Sequence, residues 1–160
     1  MIIIEDQSFG EEHCKYLKGI AIQNEKEAAP FRDIHILNLL NLNNKMTVKL
    51  SMLLSNYLAF KNITAYPELM QLTIWPKDSK QDLHFDETRD STVLTSITYL
   101  NDDYEGGETY FENGVVIKPE MGKTVFFDGK KYKHGVNPVT KGKRFVLATW
   151  YTDNINLLYI

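Results

Sequence analysis

The sequence predicts a mainly β domain, a sandwich or barrel, with helices flanking it on the N-terminal side. Up to about Ala65 the chain is rich in Leu, Ile, Asn, Lys and Glu, which suits helices. From Tyr66 onward it is rich in Thr, Val, Tyr and Phe punctuated by Gly and Pro, which suits strands and tight turns. About seven short strand-like runs follow one another in that second half, a spacing typical of closed or two-layered β folds.

Taken in order, Ile2–Ile4 reads as an edge strand. Ser8 followed by Glu11 offers a capping box, and Cys14, Leu17, Ala21 and Ile22 form an apolar stripe behind it. Gln23–Pro30 is polar and reads as a loop. Phe31–Leu40 fits either strand or helix, because Ile34, Ile36 and Leu37 are β-suited. Asn43 and Asn44 punctuate, and Met46, Leu50, Leu53, Leu54, Tyr57 and Leu58 then recur at helical spacing. Beyond Tyr66 the period becomes two. Leu69, Gln71, Thr73 and Trp75 share one face and Met70, Leu72 and Ile74 the other. Within Thr92–Leu100, Val93, Thr95, Ile97 and Tyr99 oppose Leu94, Ser96, Thr98 and Leu100. Turn residues stand at Glu105-Gly106-Gly107, Glu112-Asn113-Gly114, Pro119–Lys123 and Asp128-Gly129. Thr124–Phe127 is short and apolar. Arg144–Tyr151 closes the series, with Arg144, Val146, Ala148 and Trp150 on one side.

At 160 residues, with no Pro/Gly/Ser-rich linker, the chain is expected to form one domain over 1–160. Its helical part runs to about 65 and its β part over about 66–160. The 43% hydrophobic and 24% charged fractions exclude disordered and fibrous classes. Nothing in a net charge of −3 argues for a nucleic-acid or membrane-surface partner, and neither is expected. Cys14, the single cysteine, excludes an internal disulfide and a Cys-rich zinc site and fits a reducing compartment. Met1–Ile4 is interrupted by Glu5 and Asp6, unlike a secretory signal, and no run approaches the ~20 apolar residues that span a bilayer. A cytoplasmic protein is expected. Oligomeric state is not legible.

The chemistry concentrates in few residues. His84-Phe85-Asp86 puts an imidazole and a carboxylate on the same side of a strand, and His134, at the end of a probable strand, supplies a second imidazole. Two histidines and one carboxylate with open positions form the set that suits non-heme Fe(II) oxygen chemistry. Alone, His-x-Asp equally fits a strand-end histidine bonded to a turn carboxylate. Ten residues after His134, Arg144 leads an apolar strand and can grip a carboxylate bidentately. A 2-oxo acid chelating the metal needs such a cation for its far carboxylate. His13 and His35 lack a carboxylate at ligand spacing and read as structural or exposed. Lys130, Lys131, Lys133, Lys141 and Lys143 surround His134 and read either as a basic rim or as solvated loop lysines.

These residues resemble the 2-oxoglutarate- and Fe(II)-dependent dioxygenases, specifically the prolyl 4-hydroxylase-like branch. The resemblance covers about Leu69 to Tyr151. It runs through His84-Phe85-Asp86, Tyr99-Leu100-Asn101, Glu105-Gly106-Gly107-Glu108-Thr109, and His134 by way of Pro138 and Gly142 to Arg144 and Trp150. It implies a double-stranded β-helix (jelly roll) and three cofactors or co-substrates: Fe(II), 2-oxoglutarate and dioxygen, with ascorbate as an optional accessory. It also implies coupled turnover, giving succinate, carbon dioxide and an oxidant that hydroxylates an unactivated C–H bond. By the same resemblance His84, Asp86 and His134 become iron ligands. Arg144 takes the distal carboxylate of 2-oxoglutarate, where many relatives have lysine. Tyr99 matches a tyrosine that donates to that carboxylate, although the residues alone equally allow a core tyrosine. Relatives carry a tyrosine nine or ten residues before the first histidine; here Trp75 stands there, and its indole can donate but not accept.

The substrate implied is a prolyl residue in a peptide or protein. Alternatives are the same chemistry on a free amino acid or other small molecule, or an inactive jelly-roll binding module. A nucleobase substrate is disfavoured, because base-repair relatives carry a second arginine where Trp150 stands. Segments expected to act as substrate lids are Gln23–Pro30, Pro76–Leu83 and Glu87–Asp90.

Overall fold

A computed structural model describes residues 1–42, 44–87 and 89–158. Asn43 of the punctuating pair and Thr88 of the last lid segment lie outside the described residues. The elements are β1 (Ile2–Glu5), α1 (Glu11–Gln23), a 3-10 turn (Glu25–Glu27), β2 (Ala29–Phe31), β3 (Ile34–Asn38), α2 (Leu39–Leu42) and α3 (Asn44–Phe60). There follow β4 (Tyr66–Trp75), β5 (Gln81–His84), β6 (Thr92–Tyr99), β7 (Glu105–Gly106), β8 (Thr109–Phe111) and β9 (Val116–Ile117). The last are β10 (Thr124–Phe127), β11 (His134–Val136), β12 (Val139–Lys141), β13 (Arg144–Thr152) and a second 3-10 turn (Ile155–Leu157).

The strands form a seven-stranded sheet in the order β1-β10-β6-β13-β4-β3-β2, a four-stranded sheet β5-β11-β8-β9, and a β12-β7 pair. Every pairing is antiparallel. The large and small sheets face each other over one apolar layer that includes Trp75, Ile97, Tyr99 and Val146 from the first and Phe111, Ile117 and Val136 from the second. This is the double-stranded β-helix. The helices cover the other face of the large sheet, where Leu17, Leu50, Leu54 and Leu58 pack with Met70, Leu72, Ile74 and Leu147. The period-two reading holds through the middle of β4, β6 and β13. It fails near Leu69 and Thr92, where Leu69 also packs on the helix side and Thr92 lines the cavity beside the register shifts at Trp150–Thr152.

Elsewhere tertiary contacts override local signals. The 3-10 turn and β2 occupy most of Gln23–Pro30, read as a loop, because β2 pairs with β3 and extends the large sheet. Phe31–Leu40 is mostly strand, since β3 pairs with β4, and turns helical only at Leu39. The capping box does not form: Gly10 is the N-cap of α1, and Ser8 Oγ instead donates to Thr124 Oγ1 and to Gly122 O. Ile22 and Leu53 are exposed, outside the stripes they were expected to extend. Among the described residues no helix is long and apolar enough to cross a membrane.

Candidate metal and co-substrate site

His84 ends β5 and His134 opens β11, and these two residues are direct partners in the antiparallel register. That pairing alone sets their rings 4.4 Å apart, centroid to centroid. His134 thus begins a strand rather than ending one. Asp86 lies two residues past the end of β5, where its backbone is held by Asp86 N donating to Gly129 O at 2.9 Å. One ligand atom from each of His84, Asp86 and His134 can be chosen so that all lie within 4.8 Å of one another.

The donor set suits a divalent cation. Nδ1 of His84 lies 2.8 Å from Asp82 O, and Nδ1 of His134 3.2 Å from Tyr132 O. A carbonyl can only accept, so Nδ1 donates in both rings and Nε2 is the nitrogen left to face a metal. Burial holds the His134 imidazole neutral, below the ordinary histidine range. Asp86 opposes that shift and His84 adds to it. Nε2 of His134 and Oδ1 of Asp86 lie 3.5 Å apart, close enough for one cation to be shared between them. Two imidazoles and one carboxylate with other positions free match the facial arrangement that suits Fe(II).

A cavity of about 490 Å³ opens from these residues; its lining includes His84, Asp86, His134, Thr73, Trp75 and Arg144. Arg144 is fully buried. Its Nη2 donates to Thr109 Oγ1 at 3.2 Å, while Nε and Nη1 are buried without a hydrogen-bond partner. Its guanidinium carbon lies 4.7 Å from the Trp75 ring and 5.3 Å from the Tyr99 ring. π faces do not replace hydrogen bonds, and an uncompensated buried cation is costly, so the geometry calls for an anion. A carboxylate is the anion a guanidinium binds best, and Nη1 offers it N–H donors with no other partner.

Two expected contacts are committed elsewhere. Tyr99 Oη donates to Thr109 Oγ1 at 2.7 Å and accepts from Thr109 N, so its one O–H is spent on Thr109, beside Arg144. The Trp75 indole N–H donates to Thr73 Oγ1 at 3.0 Å, leaving the ring as an apolar wall against Arg144. Nor is there a free basic rim: Lys131, Lys133, Lys141 and Lys143 pair with Asp128, Glu112, Glu105 and Glu25, and Lys130 Nζ donates to Asp90 O. His13 lies on the exposed side of α1, and His35 lies on β3 away from the cavity lining. Thr109, named only within the Glu105–Thr109 motif, Gly129, named only as a turn residue, and Thr95, named only as a member of the Ile97 and Tyr99 face, were given no role in the site by sequence.

The 2OG-Fe(II) oxygenase superfamily family matches residues 70–152. Among curated relatives, human (Homo sapiens) prolyl 3-hydroxylase 2 is 42% identical over 65 residues, 36% of this chain and 9% of that protein. Prolyl 3-hydroxylase 1 of Gallus gallus is 40% identical with the same coverage. The matched stretch is thus a small part of those relatives. Among solved structures, the viral collagen prolyl hydroxylase of Paramecium Bursaria Chlorella virus-1, in its 2OG complex, aligns with a TM-score of 0.76 at 20% identity, covering 94% of each chain. A Pseudomonas putida prolyl-4-hydroxylase aligns at 0.76 and 16% identity, covering 94% of this chain and 91% of that one. A Trichoplax adhaerens prolyl hydroxylase, in complex with a hypoxia inducible factor peptide fragment, aligns at 0.78 and 17%, covering 95% and 83%.

Proposed function

The chain belongs to the 2OG-Fe(II) oxygenase superfamily, and from that premise we propose that it hydroxylates a prolyl residue in a peptide or protein, using Fe(II), 2-oxoglutarate and dioxygen. The observation that carries this reading is a buried guanidinium with two nitrogens lacking a hydrogen-bond partner, opening on the same cavity as the His84, Asp86 and His134 ligand atoms. His84 and His134 would hold the metal through Nε2 and Asp86 through Oδ1. When bound, the ferrous centre supplies the activation of dioxygen that the chain's own side chains cannot. Arg144 binds and orients the distal carboxylate of 2-oxoglutarate, while Thr109 fixes the guanidinium. Trp75, Ile97 and Val146 wall the cavity and exclude water, which strengthens the ionic contact inside it.

A peptidyl substrate is favoured over a small molecule by the prolyl hydroxylases among the relatives and by the peptide complex among the neighbours. A second cavity of about 430 Å³, lined by Asn38, Leu40 and Leu157 among others, shares Glu68, Leu69 and Arg89 with the first. The shared residues put this second cavity next to the one that holds the metal-ligand atoms. The prolyl hydroxylases among the relatives and neighbours supply the proposed target residue. The single buried thiol, Cys14, supports a reducing compartment, and we assign the cytoplasm on that basis.

The test is an anaerobic titration with Fe(II) and 2-oxoglutarate, followed by a succinate-release screen in air. The chelate's weak visible charge-transfer band is expected, with succinate released fastest on proline-containing peptides. No band and no succinate would leave a binding module. Turnover confined to free amino acids would move the reading to the small-molecule alternative.

A further inference from the structure

Asp86 offers two oxygens, and the structure treats them differently. Oδ1 faces His134 Nε2 at 3.5 Å. Oδ2 accepts from Thr95 Oγ1 at 2.7 Å and from the Trp150 indole N–H at 3.2 Å. Thr95 comes from β6 and Trp150 from β13, strands that pair with Thr95 and Trp150 directly opposite each other. Gly129 completes the arrangement. Its carbonyl fixes the Asp86 backbone, and a Cβ on it would fall 2.0 Å from Asp86 Oδ2 and 2.8 Å from Thr95 Oγ1. No side chain other than hydrogen fits there while Oδ2 keeps both donors.

We propose that Thr95 and Trp150, with Gly129 leaving the room, are positioning residues that pin Asp86 as a one-oxygen ligand. This rests on the metal-site reading above. The physical reason is coordination number. A carboxylate free to rotate can bring both oxygens to a cation and occupy two positions. A 2-oxo acid needs two positions and dioxygen one, so two histidines and a single aspartyl oxygen are the most that six-coordination can hold. Two donors on Oδ2 oppose that rotation, because swinging Oδ2 toward the cation abandons both hydrogen bonds and leaves the Thr95 hydroxyl and the indole N–H unpaired. The same donors orient Oδ1 toward the histidines before any metal arrives, as outer hydrogen bonds commonly do for ligating side chains.

The experiment is Co(II) titration of the full chain, followed by its visible d–d absorption, with the wild type compared to Thr95→Val, Thr95→Ser, Trp150→Phe and Gly129→Ala. Each metal-free variant is checked by far-UV circular dichroism. Thr95→Val and Gly129→Ala are expected to weaken Co(II) binding about 10–100-fold, the range typical of lost outer-shell partners, and Trp150→Phe by less. Thr95→Ser is expected to bind as the wild type does, since it restores the hydroxyl. The Val and Ala variants are also expected to show altered d–d band intensity when saturated. Wild-type affinity in Thr95→Val and Trp150→Phe overturns the proposal while leaving the metal site standing. Equal losses in Thr95→Ser and Thr95→Val also overturn it, since packing rather than the hydroxyl would then matter. If Thr95→Val fails to fold, Trp150→Phe with wild-type affinity and spectrum suffices to reject it. A wild type that takes up neither Co(II) nor Fe(II) rejects the metal site itself.

Discussion

Arg144 is the residue whose environment says most about function. A guanidinium stripped of water and given one neutral hydrogen bond is stable only if something anionic completes it. Arg144→Ala is expected to raise the 2-oxoglutarate concentration needed for half-maximal succinate release roughly 10–100-fold, the equivalent of about 1.5–3 kcal/mol for a charged hydrogen-bonded contact. Metal uptake should be unchanged. Arg144→Lys should recover only part of the loss, because an ammonium lacks the planar fork. Equal requirements in wild type and Arg144→Ala would assign the distal carboxylate to another residue. His134 makes a pH prediction. Its folded-state value lies below the ordinary 6.5, mainly through burial, so the unfolded chain takes up this proton first as pH falls. Stability of the metal-free chain should be full above about 6.5 and decline as pH drops from there through the lower folded-state value. Thermal midpoints in EDTA across that interval check the slope, which His134→Gln should reduce.

Among the elements, the short β5–β11 pair does more than its length suggests, because its register is what sets His84 beside His134. Gly135 sits at the centre of β11, where a Cβ would meet the Tyr110 ring at 2.6 Å and the Gln81 backbone oxygen at 2.7 Å. A backbone atom cannot yield as a flexible side chain can. Gly135→Ala is therefore expected to push β11 away from β5, costing about 1–3 kcal/mol of stability and weakening metal retention together. Denaturant melts and Co(II) titration of that variant would show it; a stable variant with wild-type affinity would mean that the pair adjusts without moving the histidines. The long strand β13 plays the opposite part. Flanked by β6 and β4, it carries Arg144 at one end and Trp150 near the other on a single inward face.

For the whole molecule, the helical segment and the β-helix share one apolar layer: Leu17, Leu54 and Leu58 pack on Met70, Leu72 and Leu147. Neither part would keep that layer covered without the other. We propose that 1–160 unfolds as one cooperative unit. Circular dichroism and tryptophan fluorescence should give coincident denaturation curves, since Trp75 and Trp150 report on the cavity while helical ellipticity reports on α1 and α3. Separate transitions would divide the chain near residue 65. Bound Fe(II) should raise the midpoint, with a stabilisation that grows as the logarithm of the free metal concentration over its dissociation constant.

Several features were determined by local sequence. In β4, β6 and β13 the period of two is a property of the backbone itself, so inward-facing Thr73, Trp75, Thr95, Ile97, Arg144 and Trp150 could be read from their order alone. The metal-ligand candidates were legible from side-chain chemistry. Three-dimensional closure decided the rest. Gln23–Pro30 became a turn and an edge strand because β3 was there to pair with. Ser8 left its helix cap for Thr124. The Tyr99 and Trp75 donors were taken by neighbouring threonines, and Asp86 owes its placement to Gly129, Thr95 and Trp150, none of them near it in the chain. Local order fixes which way a side chain points, whereas which partner reaches its polar atoms depends on how distant strands come into register.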